Sequence, residues 1–181
     1  ESDDESITMP TLSSYYNALN RIFVIEDLPA WNPALRSKTP LRTTPKRHFT
    51  DPSIAAAVMG ITAERLLHDF MTFGYLFESM CIRDLRVYAD ALDGEVFHYR
   101  DKTGLESDAV VVLRDGRWAA VEVKMGAASF DGAAFNLKKL ANRVNTEKMQ
   151  EPSFLMILSA TEYAYRREDG VYVIPLGCLK P

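Results

Sequence analysis

Side chains suited to acid–base or metal chemistry stand on two short apolar segments in the middle of the chain. Asp108 lies on the first segment, and Glu122 and Lys124 lie on the second, at positions where a buried strand would favour Val or Ile. The pair Asp115-Gly116 separates the segments, and Asp-Gly between alternating apolar runs is a strong signal for a tight β-hairpin. The hairpin therefore predicts two carboxylates and an ammonium group at one edge of a sheet.

The two-residue period of a strand decides which of these side chains face each other. In the second segment Val121, Val123 and Met125 share one face, so Glu122 and Lys124 stand together on the other. A carboxylate in such a buried place costs several kcal/mol unless it is paired, hydrogen-bonded or bound to a metal. The pattern thus favours either an ion-pair network or a metal site.

A third carboxylate, Glu78, interrupts the apolar stripe of a helix predicted over residues 62–92, with Gly94 as its stop. The stripe comprises Met71, Tyr75, Ile82, Leu85 and Ala89. Glu78 either belongs to the same site as the hairpin acids, or pairs with Arg100 or Lys124, or is exposed at a bend near Gly74.

The order Asp, then Glu-x-Lys on the next strand of a hairpin, resembles the PD-(D/E)xK nuclease superfamily with its restriction-endonuclease-like fold. The residues that carry the resemblance are Asp108, Glu122, Val123 and Lys124, with Glu78 on the preceding helix. The wider pattern is similar to an uncharacterised nuclease-like domain at the C-terminus of prokaryotic AAA-type ATPases. It comprises Gly74-Tyr-Leu-Phe-Glu78, His98-Tyr99-Arg100-Asp101 and Gly104-Leu-Glu-Ser-Asp108, and the likeness runs from about Thr11 to the end.

This resemblance implies a C-terminal fragment of an ATPase that hydrolyses phosphodiester bonds of DNA or another nucleic acid with Mg²⁺ or Mn²⁺. Asp108 and Glu122 would hold the metal together with the Val123 carbonyl, and Glu78 would complete its surroundings directly or through water. Lys124 would orient the attacking water and stabilise negative charge on a phosphoryl oxygen. The nucleotide-binding part of such an ATPase would lie upstream of the chain.

Two other interpretations stay open on the sequence. In one, the domain is a catalytically silent module that binds nucleic acid or protein and regulates the parent ATPase, and its acids form a structural network. In the other, the domain mediates self-association. Fold-level likeness alone does not decide between them.

Basic residues cluster in a loop over residues 31–47 and on an amphipathic helix over residues 130–144. Such residues either contact nucleic-acid phosphates or are simply solvated. The candidates for phosphate contact are Arg36, Lys38, Arg42, Lys46, Arg47, Lys138, Lys139 and Arg143.

The succession of elements predicts an α/β domain with a restriction-endonuclease-like core, a central mixed β-sheet flanked by helices. A three-strand meander follows the long helix, and a helix then leads to a buried strand at Phe154–Ser159 and a last strand at Val171–Leu176. We expect residues 51–181 to form this domain and residues 1–50 to comprise an acidic tail, a basic linker and, as the resemblance implies, a winged-helix remnant. In a competing interpretation, apolar residues of the remnant, among them Leu12, Tyr15, Leu19, Phe23 and Ile25, pack on the main domain.

Net charge, cysteine spacing and the length of apolar runs exclude some classes of protein. The 181 residues carry a net charge of −4, which argues against a generally basic nucleic-acid binder and leaves room for a local basic patch. The two cysteines form no metal-binding spacing, which favours a reducing, cytoplasmic setting. No apolar run reaches 18 residues, so we expect no membrane insertion.

Overall fold

The computed structural model describes residues 7–180, so the predicted acidic tail at residues 1–6 lies outside the described part. The helices are α1 (Met9–Arg21), α2 (Pro52–Val58), α3 (Ala63–Leu66), α4 (Phe70–Asp90) and α5 (Phe130–Arg143). The strands are β1 (Ile25–Leu28), β2 (Lys46–Phe49), β3 (Gly94–Arg100), β4 (Glu106–Leu113), β5 (Trp118–Lys124), β6 (Phe154–Ser159), β7 (Tyr165–Arg166) and β8 (Tyr172–Pro175).

Six strands form one mixed sheet in the order β3-β4-β5-β6-β8-β7, and β1 and β2 form a separate antiparallel pair. Strands β3, β4 and β5 are the predicted antiparallel meander, and β5, β6 and β8 run parallel. The short β7 pairs antiparallel with β8 at the edge. The predicted α/β class with a central mixed sheet flanked by helices is confirmed.

Helices α5 and α4 cover opposite faces of the sheet, because β4 and β5 are apolar on both faces. On one side α5 packs against a cluster that includes Val110, Trp118 and Ala120. On the other side α4 packs against a cluster that includes Ala109 and Val121. Helix α5 leads from the meander to β6, as the sequence predicts, and β5 and β6 are parallel neighbours. The centre of β5 is therefore buried between two helical layers.

The predicted helix over residues 62–92 is in fact two helices, α3 and α4. Asp69 caps α4 by accepting a hydrogen bond from the backbone N–H of Thr72. A new helix therefore begins after Asp69, and the predicted helix is interrupted there. The predicted apolar face is wrong at its start, since Met71 and Tyr75 are 72% and 64% exposed. Residues 70–77 are apolar almost all round, and the helix buries its Leu76 and Phe77 side instead.

The first helix does not pack on the main domain. None of its residues is buried, and Tyr15 is 62% exposed. Phe23, which follows the helix with a positive φ of 58°, is 75% exposed, and β1 begins only at Ile25. The interpretation that Leu12, Tyr15, Leu19 and Phe23 pack on the domain is therefore wrong. Within residues 7–180, no helix combines the length and the apolar composition needed to cross a bilayer.

Gly94 allows the close approach of α4 to the β3–β4 hairpin. A Cβ atom at this position would lie 2.6 Å from Leu113 Cδ2 and 3.0 Å from the carbonyl oxygen of Val112. We expect Gly94→Ala to lower the free energy of unfolding by about 1–3 kcal/mol, since the Leu113 side chain must move and the neighbouring carbonyl groups must give way slightly. Urea denaturation measures the loss.

Gly132→Ala is the matched control, because a Cβ atom at this position of α5 meets no atom within 4 Å. The control is expected to be neutral or slightly stabilising, since alanine favours helix more than glycine does. Equal stability of Gly94→Ala and the wild type would contradict the tight packing.

Candidate metal and phosphodiester site

Asp108 and Glu122 lie at adjacent positions of the β4–β5 hairpin. Both side chains are buried, with 8% of Asp108 and 2% of Glu122 exposed. Asp108 Oδ2 accepts a hydrogen bond of 2.9 Å from the backbone N–H of Val123, which ties the two strands together at this point. The hairpin therefore fixes both carboxylates through backbone geometry.

Lys124 links the two carboxylates. Its Nζ lies 2.7 Å from Glu122 Oε2 and 3.5 Å from Asp108 Oδ2. The Lys124 side chain is 29% exposed, so the ammonium stands at the rim of the buried pair. The structure thus brings together the two acids and the amine that the sequence placed on the hairpin.

Glu78 reaches the same cluster from α4 through a lysine that the sequence analysis assigned to a phosphate-binding loop. Lys46 Nζ lies 3.3 Å from Glu78 Oε1 and 3.2 Å from Asp108 Oδ1. Neither Arg100 nor Lys124 is the direct partner of Glu78, and Arg100 pairs with Glu106. Strand alternation on β2 turns Lys46 and His48 inward and leaves Arg47 exposed, but the sequence analysis assigned Lys46 and Arg47 to a loop and therefore missed this contact.

Burial and the two lysines set the pKa values of the three carboxyl groups in opposite directions. Burial raises the pKa of Glu122 to about 8, and the charge of Asp108 adds to this effect. Burial and Asp108 also raise the pKa of Glu78. Burial acts in the same sense on Asp108, but Lys124, Lys46 and the Val123 N–H outweigh it, so the pKa of Asp108 is lowered. Asp108 is therefore the carboxylate that the site keeps ionised.

Burial lowers the pKa of both lysines, but their carboxylate partners outweigh it. Asp108 and Glu78 raise the pKa of Lys46 above its ordinary value. Asp108 and Glu122 do the same for Lys124. Both amines are therefore cations at neutral pH.

One carboxylate oxygen of the cluster, Glu122 Oε1, could accept a further cation. Glu122 Oε1 is buried and has no hydrogen-bond partner in the described part of the chain. Among residues 7–180, no three His, Cys, Asp or Glu side chains are grouped closely enough to hold a metal ion. Mg²⁺ commonly takes one or two protein carboxylates and keeps several waters. Asp108 and Glu122 therefore fit such an ion as the two carboxylate ligands, with the Val123 carbonyl beside them.

A cleft of about 690 Å³ opens beside the cluster. Lys46 and Glu78 belong to its wall, together with Arg47, Arg100 and the exposed ring of Tyr75. His48 also lines the cleft, and its Nδ1 lies 3.4 Å from Ser79 Oγ. Burial and the charge of Lys46 lower the pKa of His48 to about 4, so this imidazole is neutral near pH 7.

The other basic candidates do not form a single patch. Arg36 donates to the Val144 carbonyl and to Thr146 Oγ1. Lys138 and Lys139 are exposed on α5, beside a different cleft that also has acidic walls. Arg47 stacks over the ring of Tyr16, and Lys38 and Arg42 are exposed. Phosphate contact by these residues stays a prediction.

Arg143, the remaining basic candidate, is engaged inside the chain by Asp101. Asp101 is fully buried and also accepts hydrogen bonds from Tyr99, from Thr103 and from the backbone N–H of Leu105. These contacts hold the β3–β4 turn against α5. Arg143 therefore stabilises this turn, and phosphate contact by its partly exposed guanidinium stays a prediction.

Comparisons with known proteins give two family matches. A model described as a domain of unknown function, DUF4143, matches residues 73–179, and a second such model, DUF8612, matches residues 2–65. Comparison with curated proteins gave no match.

Among solved structures, a chain from an assembly of Thermococcus gammatolerans McrB AAA+ hexamers with bound McrC is similar at 10% identity and a TM-score of 0.38. The match covers 96% of the present chain and 64% of that chain, which is less than two thirds of its length.

Proposed function

The chain belongs to the DUF4143 family of domains of unknown function, and we propose that it is a metal-dependent phosphodiesterase that acts on nucleic acid. The observation that carries the proposal is the joint burial of Asp108 and Glu122 beside the Lys124 ammonium, with Glu122 Oε1 free to accept a cation. A buried carboxylate oxygen without a partner is costly in a purely structural network.

Each residue has a role that follows from its position. Asp108 and Glu122 would hold Mg²⁺ or Mn²⁺, and Glu78 would complete the surroundings directly or through water. The ion would supply Lewis-acid activation of the phosphate and lower the pKa of a bound water. Lys124, at the rim, would position the attacking water and stabilise charge on a phosphoryl oxygen.

The cleft beside the cluster supports a nucleic-acid substrate. Its wall combines the exposed cation of Arg47 with the aromatic ring of Tyr75, and Arg100 lies there paired with Glu106. Cationic groups bind phosphates and aromatic rings stack on bases. A strand lying along this wall would pass over Glu78 and Lys46 at the entrance of the cluster.

The proposal includes a restriction-endonuclease-like core for the succession α4, β3-β4-β5, α5 and β6, and a winged-helix remnant for the region around α1 and β1. An ATPase partner, either upstream in the same polypeptide or in an assembly, is part of the proposal, because the chain resembles the nuclease-like domain of AAA-type ATPases. A cytoplasmic location is part of this proposal.

A second candidate is a catalytically silent module that binds a protein partner. The exposed apolar side chains of the N-terminal region favour it, since Met9, Tyr15 and Phe23 are each more than half exposed. Large apolar side chains left in water commonly mark interaction surfaces. In this case the acids would form a structural network with Lys46 and Lys124.

Thermal unfolding with and without Mg²⁺ or Mn²⁺ separates the two candidates. We expect saturating metal to raise the melting temperature of the wild type by about 5 °C, because the ion binds the folded state. Asp108→Asn should remove the shift, because it removes the ionised carboxylate. The wild type should also cleave plasmid or single-stranded DNA in the presence of either metal.

Asp115→Asn is the control, since it removes a carboxylate from the exposed turn of the same hairpin and keeps a residue suited to that turn. It should shift with metal as the wild type does. The absence of any metal response in the wild type would leave the binding module as the function, and partner binding would then survive Asp108→Asn.

A further inference from the structure

Lys46 comes to the site from a different part of the chain than the acids do. It lies on β2, inside the region matched by the DUF8612 model, whereas Glu78, Asp108 and Glu122 lie in the region matched by the DUF4143 model. The two regions meet where Lys46 Nζ contacts both Glu78 and Asp108. The site is therefore composite.

The ammonium of Lys46 occupies the space between two carboxylates. Its distances of 3.3 Å to Glu78 Oε1 and 3.2 Å to Asp108 Oδ1 are nearly equal, and its side chain is 26% exposed. A divalent cation held by Asp108 and Glu122 that also bound Glu78 directly would need to lie within about 2.0–2.6 Å of Asp108 Oδ1 and Glu78 Oε1. The ammonium and such a cation cannot both occupy this position.

We propose that Lys46 is a built-in competitor of the divalent cation, and that metal loading requires the Lys46 ammonium to withdraw from between Glu78 and Asp108. This inference rests on the proposed metal-dependent function and adds a regulatory step to it. Lys46 also lines the cleft of about 690 Å³, so its displaced ammonium has an open, solvated place to occupy. There it would face the phosphates of a bound strand.

The charges around the site support competition. Three carboxyl groups, those of Glu78, Asp108 and Glu122, face the two ammonium groups of Lys46 and Lys124. Removal of Lys46 takes away the cation that Glu78 and Asp108 share, which strengthens the attraction of Asp108 for a divalent cation. Arg100, also on the cleft wall, is held by Glu106 and does not replace the missing charge.

The test is Mn²⁺ binding to the full chain, measured by titration calorimetry and by electron paramagnetic resonance of free Mn²⁺. We expect Lys46→Met to bind Mn²⁺ about tenfold more tightly than the wild type, because the competing charge is gone. Without metal the variant should melt at a lower temperature than the wild type, because Glu78 and Asp108 lose a partner. Added Mn²⁺ should reverse that loss.

Lys148→Met serves as the control, because Lys148 is an exposed lysine of the segment between α5 and β6. Its Mn²⁺ affinity should match that of the wild type. Lys46→Gln gives the same comparison if the methionine variant does not fold.

The outcomes separate this inference from the proposed function. Mn²⁺ binding by the wild type with equal or weaker binding by both Lys46 variants would overturn the competition and leave the metal site intact. Binding by the Lys46 variants alone would support the competition in its strongest form. No binding by any variant would overturn the metal-dependent function, and the competition with it.

Discussion

Replacement of Lys124 by methionine is expected to slow metal-dependent cleavage by about 10²- to 10³-fold while metal binding persists. The Lys124 ammonium lies at the rim of the cluster, 2.7 Å from Glu122 Oε2. In the proposed mechanism it would orient water and stabilise a developing phosphoryl charge. Its loss removes stabilisation of the transition state and also removes a positive charge that opposes metal entry. Steady-state cleavage and Mn²⁺ titration, performed on the same samples, measure the two effects.

Two further variants serve as controls for the loss of the Lys124 charge. Lys124→Arg keeps a cation at the rim and should recover part of the rate, whereas Lys102→Met changes an exposed lysine of the β3–β4 turn and should keep the wild-type rate. A Lys124→Met enzyme that cleaves as fast as the wild type would remove Lys124 from the mechanism. Loss of Mn²⁺ binding in that variant would instead make Lys124 a residue that holds the metal site together.

Asp101→Ala is expected to lower the free energy of unfolding by about 3 kcal/mol. The carboxylate is fully buried and pairs with Arg143 while accepting hydrogen bonds from Tyr99 and Thr103. Truncation leaves a guanidinium and a phenol without their acceptor in the space between the β3–β4 turn and α5. Chemical denaturation at pH 7 measures the loss.

The effect of Asp101 should depend on pH in a defined direction. Burial opposes its ionisation, but the hydrogen bonds from Thr103 and Tyr99 and the charge of Arg143 prevail, so its pKa is lowered. A lowered pKa in the folded state contributes stability above the ordinary pKa of about 4, and that contribution disappears as the pH falls through the folded value. The difference in the free energy of unfolding between the wild type and Asp101→Ala should therefore be constant from about pH 5 to about pH 7 and shrink below about pH 4.

Asp169→Ala is a close comparison, since Asp169 also accepts a backbone N–H two residues ahead and pairs with an arginine, Arg167. Its side chain is 26% exposed, so water can replace the lost contacts and the destabilisation should be markedly smaller. Equal losses in the two variants would show that the burial of Asp101 does not determine its contribution.

The hairpin part of the site was predictable because its information is local. The Asp115-Gly116 turn sets the register of β4 and β5, and strand alternation then places Asp108, Glu122 and Lys124 at one end. The continuous apolar run located the strand Phe154–Ser159 in the same way, whereas its parallel pairing with β5 is a finding of the structure. The features that depend on neighbouring residues in the chain could therefore be predicted from the sequence.

The contact of Lys46 with the acidic cluster could not be predicted from short-range sequence patterns. It lies 62 positions before Asp108 in the chain, and its basic neighbours made the segment look like a solvated linker. The burial of α4 was equally ambiguous, since its first two turns are apolar on every side and only the sheet selects the face. The solvent exposure of α1 could not be predicted either, because the amphipathic spacing of a helix does not show whether its apolar face has a partner.

The turn at Asp115-Gly116 closes the β4–β5 hairpin at the end opposite to Asp108 and Glu122. Strands rise about 3.3 Å per residue, which places the turn roughly 20 Å from the carboxylates. Gly116 there has a φ of 87°, and residues 114–117 are exposed. A small epitope or fluorophore grafted onto this turn would report on assembly with other proteins without disturbing the chemistry at the far end.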